Sequence, residues 1–376
     1  MAKKKAKKQE ETTQEPAGET LLGNRPKITA ASNIMKKSGF MPASKRESNR
    51  YILTGMPQFD NARKLDYAVG MKCSGVTVVY GEPSAGKSTS VYSWIANWQK
   101  QGLVGALMDL EDSWDPVWAA KLGVDVDSLF LTQVPEFMDS ALQSALDALE
   151  GKYFDFVVMD SLHAVGTKRE INRDKTLEEE KPVAALAGKV TQFLRVAKPF
   201  LEKSQSAMVI IGHARMDIGS MSKNPIMLTG GEHLIHECDN IFQVTKSTSK
   251  TRAPWVNDQL TGHAMGVWVE KCRGPGIYSR FDEIFITNHG FSQAWVYVPK
   301  VLSDTKAALD LFKQAGHFYT WTDAQGSDQK LQGRQNLINY FQENPMEIDR
   351  LIQAYKDYTS GSNTEQREEP AESLPA

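Results

Sequence analysis

One stretch, Tyr80-Gly81-Glu82-Pro83-Ser84-Ala85-Gly86-Lys87-Ser88-Thr89, constrains this chain more than any other. It follows an apolar run at 75–79 and precedes an amphipathic stretch at 91–101, so it reads as strand, glycine loop, helix. Gly81 and Gly86 bracket four residues, and Lys87-Ser88 follow at once. That spacing wraps backbone N–H groups and a helix N-terminus around a polyphosphate; the lysine reaches the terminal phosphates and the hydroxyl of Ser88 binds magnesium. A nucleoside triphosphate site is expected, with residues 81–89 as its cradle.

The rest of the middle of the chain fits that loop. Strand patterns fall at 76–80, 106–110, 129–132, 156–160, 208–212 and 241–244, and helix patterns at 88–101, 116–122, 138–149 and 183–203. Such alternation predicts an α/β fold with a mostly parallel central sheet and helices on both faces, whose ligands lie at the carboxyl ends of the strands.

Several polar residues fall at those ends. Residues 106–112 close a strand with three acids, and a carboxylate there can deprotonate an attacking water. Glu111 is the candidate base, with Asp109 and Asp112 competing for the role. Asp160 ends the next apolar run and is the expected partner of Ser88 at magnesium. His213 ends another, where it would touch a terminal phosphate. The sixteen residues 216–231 after it carry glycines, Met216, Ile218, Met221 and Met227 beside Arg215 and Lys223. A loop of that length and composition suits single-stranded nucleic acid, gripped by shape and charge. A second polar insert, 166–181, holds Lys168, Arg169, Arg173 and Lys175 with three glutamates, which fits either a solvated lid or a nucleic-acid contact. Later, Lys271 and Arg273 end a strand with nothing nearby to pair them, so they either form a plain exposed turn or reach a phosphate across a subunit boundary.

Composition draws the limits. At 376 residues, 41% hydrophobic and 24% charged, the chain has room for two or three domains with sizeable cores. Three scattered cysteines, Cys73, Cys238 and Cys272, fit a reducing compartment and no disulfide framework. No apolar run suits a membrane span or a signal peptide, so a cytoplasmic protein with no membrane partner is expected. The expected organisation is a lysine-bearing disordered tail (1–35), a linker (36–60), an ATPase core (61–300), a small α+β unit (301–359) and an acidic disordered tail (360–376). In the linker, Phe40 followed by Ala43 looks for a pocket, on its own domain or on a neighbouring copy.

The loop at 81–89, the segment Leu110-Glu111-Asp112 through Asp115-Pro116 and Trp118 to Lys121-Leu122-Gly123-Val124-Asp125, and the run Arg215 to Gly231 together resemble the RecA-type recombinases, bacterial or phage-borne. The resemblance extends from about Tyr51 to Tyr358 and implies a RecA-like ATPase core with two DNA-binding loops and a small C-terminal domain. It implies Glu111 as the catalytic glutamate, Asp115 and Trp118 against adenine, and Lys271 and Arg273 as cations reaching a neighbouring protomer's ATP. Its candidate DNA contacts are Lys168, Arg169, Arg195, Arg215, Met216, Ile218, Gly230 and Gly231. His213 stands where the family has a phosphate-sensing Gln, while Phe40 and Ala43 are similar to the protomer tether of eukaryotic and archaeal recombinases. The implied activity is ATP- and magnesium-dependent filament formation on single-stranded DNA, followed by pairing and strand exchange with homologous duplex, alongside single-strand-binding and mediator proteins. A DNA translocase or helicase on the same core, and an ATP-gated DNA-binding filament without exchange, are the alternatives.

Overall fold

Continuous apolar runs become central strands, because a parallel strand covered by helices on both faces has no polar side. The computed structural model describes residues 50–60, 70–132, 134–168, 182–216, 226–229, 232–246, 255–256, 259–260, 262–273, 281–287, 290–291, 298, 313–344 and 346–354. In chain order its elements are β1 (Tyr51–Ile52), α1 (Pro57–Asp60), β2 (Met71–Lys72), β3 (Val76–Gly81), α2 (Lys87–Lys100), β4 (Gly105–Asp109), α3 (Pro116–Lys121), β5 (Leu129–Leu131), α4 (Met138–Glu150) and β6 (Phe156–Asp160). Then come α5 (Pro182–Ser204), β7 (Ala207–Met216), β8 (Ile226–Leu228), α6 (Glu232–Glu237), β9 (Asn240–Lys246), β10 (Trp255–Val256), β11 (Gln259–Leu260), β12 (Gly262–Cys272), β13 (Phe281–Thr287) and β14 (Gly290–Phe291). Last are β15 (Lys313–Ala315), β16 (Phe318–Thr322), β17 (Asp328–Gln332) and α7 (Arg334–Glu343), with 346–354 again helical.

The main sheet has ten strands in the order β14-β13-β12-β9-β3-β7-β6-β4-β5, with β8 paired to β7. From β9 to β5 neighbours run parallel, whereas β12, β13 and β14 add an antiparallel flank. The α/β class and mostly parallel sheet expected from the alternation are what the chain forms. Successive side chains of each strand point to opposite faces, and the core divides accordingly. Val79, Leu107, Val158, Val209 and Phe242 face one cluster, with Val91, Trp94, Ile95 and Trp98 of α2. Val78, Tyr80, Met108, Val157, Met159 and Ile210 face the other, with α4 and α5. The α2 residues recur at helical spacing, and the rings of Trp98 and Phe156 stand 4.8 Å apart. Full burial of each of these large side chains contributes about 2–3 kcal/mol.

The structure changes the sequence reading in two places. Ile52, Met56 and Phe59 are buried in the core and β1 pairs with β2, so residues 50–60, linker by composition, belong to the folded core. The strand expected to stop at 212 continues to Met216, because Ala214, Arg215 and Met216 find backbone partners in Leu228, Met227 and Ile226. Met216 therefore ends a two-stranded ribbon instead of opening the loop it was expected to open; residues 217–225 lie outside the described residues. Within the small α+β unit expected over 301–359, residues 301–312 lie outside the described residues and β15 follows at Lys313. The C-terminal unit is α+β, with β15-β16-β17 antiparallel and Trp321 stacked on Phe341 of α7 at 5.6 Å.

Candidate functional site

The loop after β3 needs glycine at both ends. A Cβ at Gly81 would collide with the carbonyl oxygen of Val244 on β9. Gly86 has φ of 104°, and a Cβ there would meet the Met265 Sδ at 2.9 Å and run into Ile286. Lys87 then starts α2, whose first-turn N–H groups face the loop without intrahelical partners. The Lys87 ammonium bends back over the loop, donating to the carbonyls of Gly81 at 3.1 Å and Glu82 at 2.9 Å. Burial pulls its pKa down, while Asp160 and Glu111 oppose that shift.

Ser88 Oγ donates to Asp160 Oδ2 at 2.9 Å. Asp160 is 1% exposed, and burial pushes its carboxyl up to about 6; Ser88 acts against this and the nearby Glu111 and Asp109 add to it. A hydroxyl and a carboxylate, both hard oxygen donors, beside an anion cradle suit magnesium. The residues present fit the ion, with Ser88 and Asp160 to hold it.

The three acids after β4 separate by environment. Asp109 is tied into the turn, its carboxylate accepting from Ser113 N at 3.1 Å and Trp114 N at 2.9 Å. Asp112 stands exposed at φ of 52°. Glu111 reaches across the strand ends to β7: its Oε1 meets His213 Nε2 at 2.7 Å and accepts from Ser161 Oγ, which also lies 2.9 Å from His213 Nε2. Ser161, fully buried and next to Asp160, was not singled out from sequence; a hydroxyl directly after a strand-ending acid was the available signal. His163 was also missed. Its ring lies 5.9 Å from that of His213, both its nitrogens are buried without a hydrogen-bond partner among the described residues, and burial drives its pKa down to about 4, His213 and Arg215 adding to the fall.

Other expected residues stand apart from this cluster. Asp115 caps α3, accepting from Val117 N at 2.8 Å and Trp118 N at 3.1 Å, and Trp118 lies half-buried against the core. Lys168 is anchored at the start of α4, its N–H donating to Asp139 at 3.0 Å and its ammonium 5.6 Å from the Phe137 ring centroid. Arg195 is exposed on α5, and Arg215 is exposed on the β7–β8 ribbon. The expectation that nothing pairs Lys271 and Arg273 does not survive. Lys271 donates to the carbonyls of Ile235 and His236 at 2.5 and 2.8 Å, and Arg273 donates to His236 O at 2.9 Å, with Asp239 3.9 Å away. The orphan carbonyls at the end of α6 attract cations. Phe40, Ala43, Arg169, Ile218, Gly230 and Gly231 lie outside the described residues. No helix among the described residues is long and apolar enough to cross a membrane.

Comparison with known proteins agrees with this architecture. The family model for the RecA N-terminal domain matches residues 37–273. Protein RecA of Aquifex aeolicus is 29% identical over 346 residues, covering 90% of this chain and 94% of its own. Protein RecA of Chlorobaculum parvum is 30% identical over 308 residues, 80% of this chain and 83% of its own. Protein RecA of Clostridioides difficile is 29% identical over 297 residues, 77% and 80% of the two chains. With the phosphate loop, the parallel sheet and a family match across more than half its length, the chain belongs to the RecA family of recombinases.

Proposed function

We propose that the chain is an ATP-dependent recombinase that assembles on single-stranded DNA and exchanges strands with a homologous duplex. The observation that carries this reading is the hydrogen-bonded cluster of Glu111, Ser161 and His213. It joins the carboxylate beside the phosphate loop to the strand whose far end, Arg215 and Met216, flanks the candidate DNA loop. A phosphate arriving beside His213 competes for its Nε2, freeing Glu111 to orient and deprotonate the attacking water. The same contact biases the ribbon, so nucleotide state and DNA affinity are linked reciprocally. Ser88 and Asp160 would hold magnesium, which would supply charge neutralisation at the phosphates that Lys87 binds. Asp115 and Trp118 flank the base, and Lys168, Arg169, Arg195, Arg215, Met216, Ile218, Gly230 and Gly231 are the proposed DNA contacts.

Filament formation has its own support. β5 is an edge strand carrying Phe130 at 57% and Leu131 at 45% exposure, with Phe154 5.3 Å from Phe130 and Tyr153, at 71% exposure, beside it. An open edge flanked by apolar side chains accepts an added strand. The segment from Phe40 to Ala43 of a second copy is the proposed occupant. Lys271 and Arg273 would then leave α6 for the neighbour's ATP.

The test is strand exchange between a fluorescently labelled duplex and homologous single-stranded DNA, with ATP and magnesium, against a heterologous control. Homology-dependent product is expected, and Lys87→Ala should abolish both product and hydrolysis. DNA-stimulated hydrolysis without exchange under filament-forming conditions would refute the recombinase reading.

A further inference from the structure

The residue just before the phosphate loop is bonded to the residue just before Lys271. Tyr80, on β3, is buried with Val78 and Ile241, and its hydroxyl donates to Glu270 Oε1. β9 lies between β3 and β12, so the bond spans two strand intervals. A bulge makes it possible: Val269 opposes Phe242 and Lys271 opposes Ile241, leaving Glu270 as the extra residue. Lys271 and Arg273 follow directly, gripping the end of α6.

We propose that Tyr80 and Glu270 are positioning residues that transmit the state of one protomer's phosphate loop to the bulge carrying Lys271 and Arg273, and so to the next protomer's nucleotide. This rests on the reading that those two cations complete a neighbouring site. The geometry favours transmission over simple bracing. Tyr80 is adjacent in sequence to Gly81, whose carbonyl receives the Lys87 ammonium, so a phosphate that draws Lys87 away changes the backbone contacts of the Gly81–Glu82 peptide, one unit beyond the Tyr80–Gly81 peptide. At the other end Glu270 occupies the unpaired position of a bulge, where a strand re-aims its neighbouring side chains. The result is a link from one active site to the display of cations for the next.

The experiment measures DNA-stimulated ATP hydrolysis (kcat, KM and Hill coefficient), binding of a fluorescent ADP analogue, and thermal melting. The full-length variants are Tyr80→Phe, Glu270→Ala, Glu270→Gln, the Tyr80→Phe/Glu270→Ala double and Lys271→Ala. Tyr80→Phe and Glu270→Ala should each lower kcat by about tenfold, the loss of one charge-assisted hydrogen bond, and move the Hill coefficient toward one. Analogue affinity and melting should stay near wild type, Glu270→Gln should recover most of the loss, and the double variant should be no worse than either single. Wild-type kcat and cooperativity in both single variants, additive losses in the double, or a wild-type protein without cooperativity in ATP would each overturn the proposal. If Glu270→Ala does not fold, Tyr80→Phe, which removes one oxygen, decides. Full hydrolysis in Lys271→Ala would instead overturn the neighbouring-site reading, and the proposal with it.

Discussion

Replacing Asp160 by Asn should make the nucleotide-free protein more stable while destroying its activity. Burial holds the Asp160 carboxyl at about 6 against an ordinary 3.8, so the folded chain binds a proton there more tightly than the unfolded one. Stability from this group is fully present below about pH 4 and is lost as the pH rises through about 6. Above that window the ionised carboxylate costs roughly 3 kcal/mol, two pKa units at about 1.4 kcal/mol each. Asn keeps an oxygen to accept from Ser88 and carries no charge, so the cost disappears. For a chain of 376 residues, at about 2.1 cal/mol/K per residue, 3 kcal/mol corresponds to a rise in Tm of about 4 °C. The assay is thermal melting of both proteins at pH 5, 6 and 7.5 in chelator, then with magnesium and a non-hydrolysable ATP analogue. The variant should lead most at pH 7.5, and the gap should narrow to about half by pH 5. Magnesium nucleotide should stabilise the wild type and leave the variant nearly unmoved. An Asn variant no more stable than wild type at pH 7.5, or a gap that widens toward acid, would refute the burial argument.

Three further outcomes follow from the same geometry. Ser161→Ala removes the hydroxyl between Glu111 and His213, so hydrolysis should fall about tenfold in kcat with KM little changed, read from steady-state kinetics. Gly86→Ala should abolish binding of a fluorescent nucleotide and lower stability by about 1–3 kcal/mol in denaturant titration, because the positive φ and the contacts with Ile286 and Met265 both oppose a side chain. His163 is held neutral, with its pKa depressed to about 4, so it costs stability as the pH falls from about 6.5 toward 4; His163→Leu should melt less readily in acid than wild type, by circular dichroism.

What could be read from the chain was local. The phosphate loop declares itself because its glycines, lysine and serine act within a few residues of each other, and the buried strands because an apolar run needs no partner to be recognised. The missing parts depend on partners far away in sequence. The β7–β8 ribbon exists because Arg215 meets Met227, a pairing that composition cannot distinguish from a loop. Lys271 and Arg273 looked unpaired because their partners are carbonyls 35 to 37 residues earlier, on a six-residue helix. Tyr80 and Glu270 are 190 residues apart.

The order of the sheet explains why the candidate site gathers where it does. β3, β7, β6 and β4 are consecutive neighbours, and their register places Gly81 beside His213, Ile211 beside Asp160, and Asp160 beside Asp109. Four crossovers therefore deliver the phosphate loop, His213, Asp160 and, two residues past β4, Glu111 to one row of carboxyl ends. His213 needs only one residue more of strand than Gly212 to pass the last fully buried position and face Glu111. A β7 shifted by one residue would turn His213 to the opposite face. The antiparallel ribbon beyond it pins that register, since Arg215 and Met216 have fixed partners on β8. The segment flanking the candidate DNA loop thus also holds the proposed sensor, His213, against Glu111, and a force on the ribbon is a force on the Glu111–His213 contact.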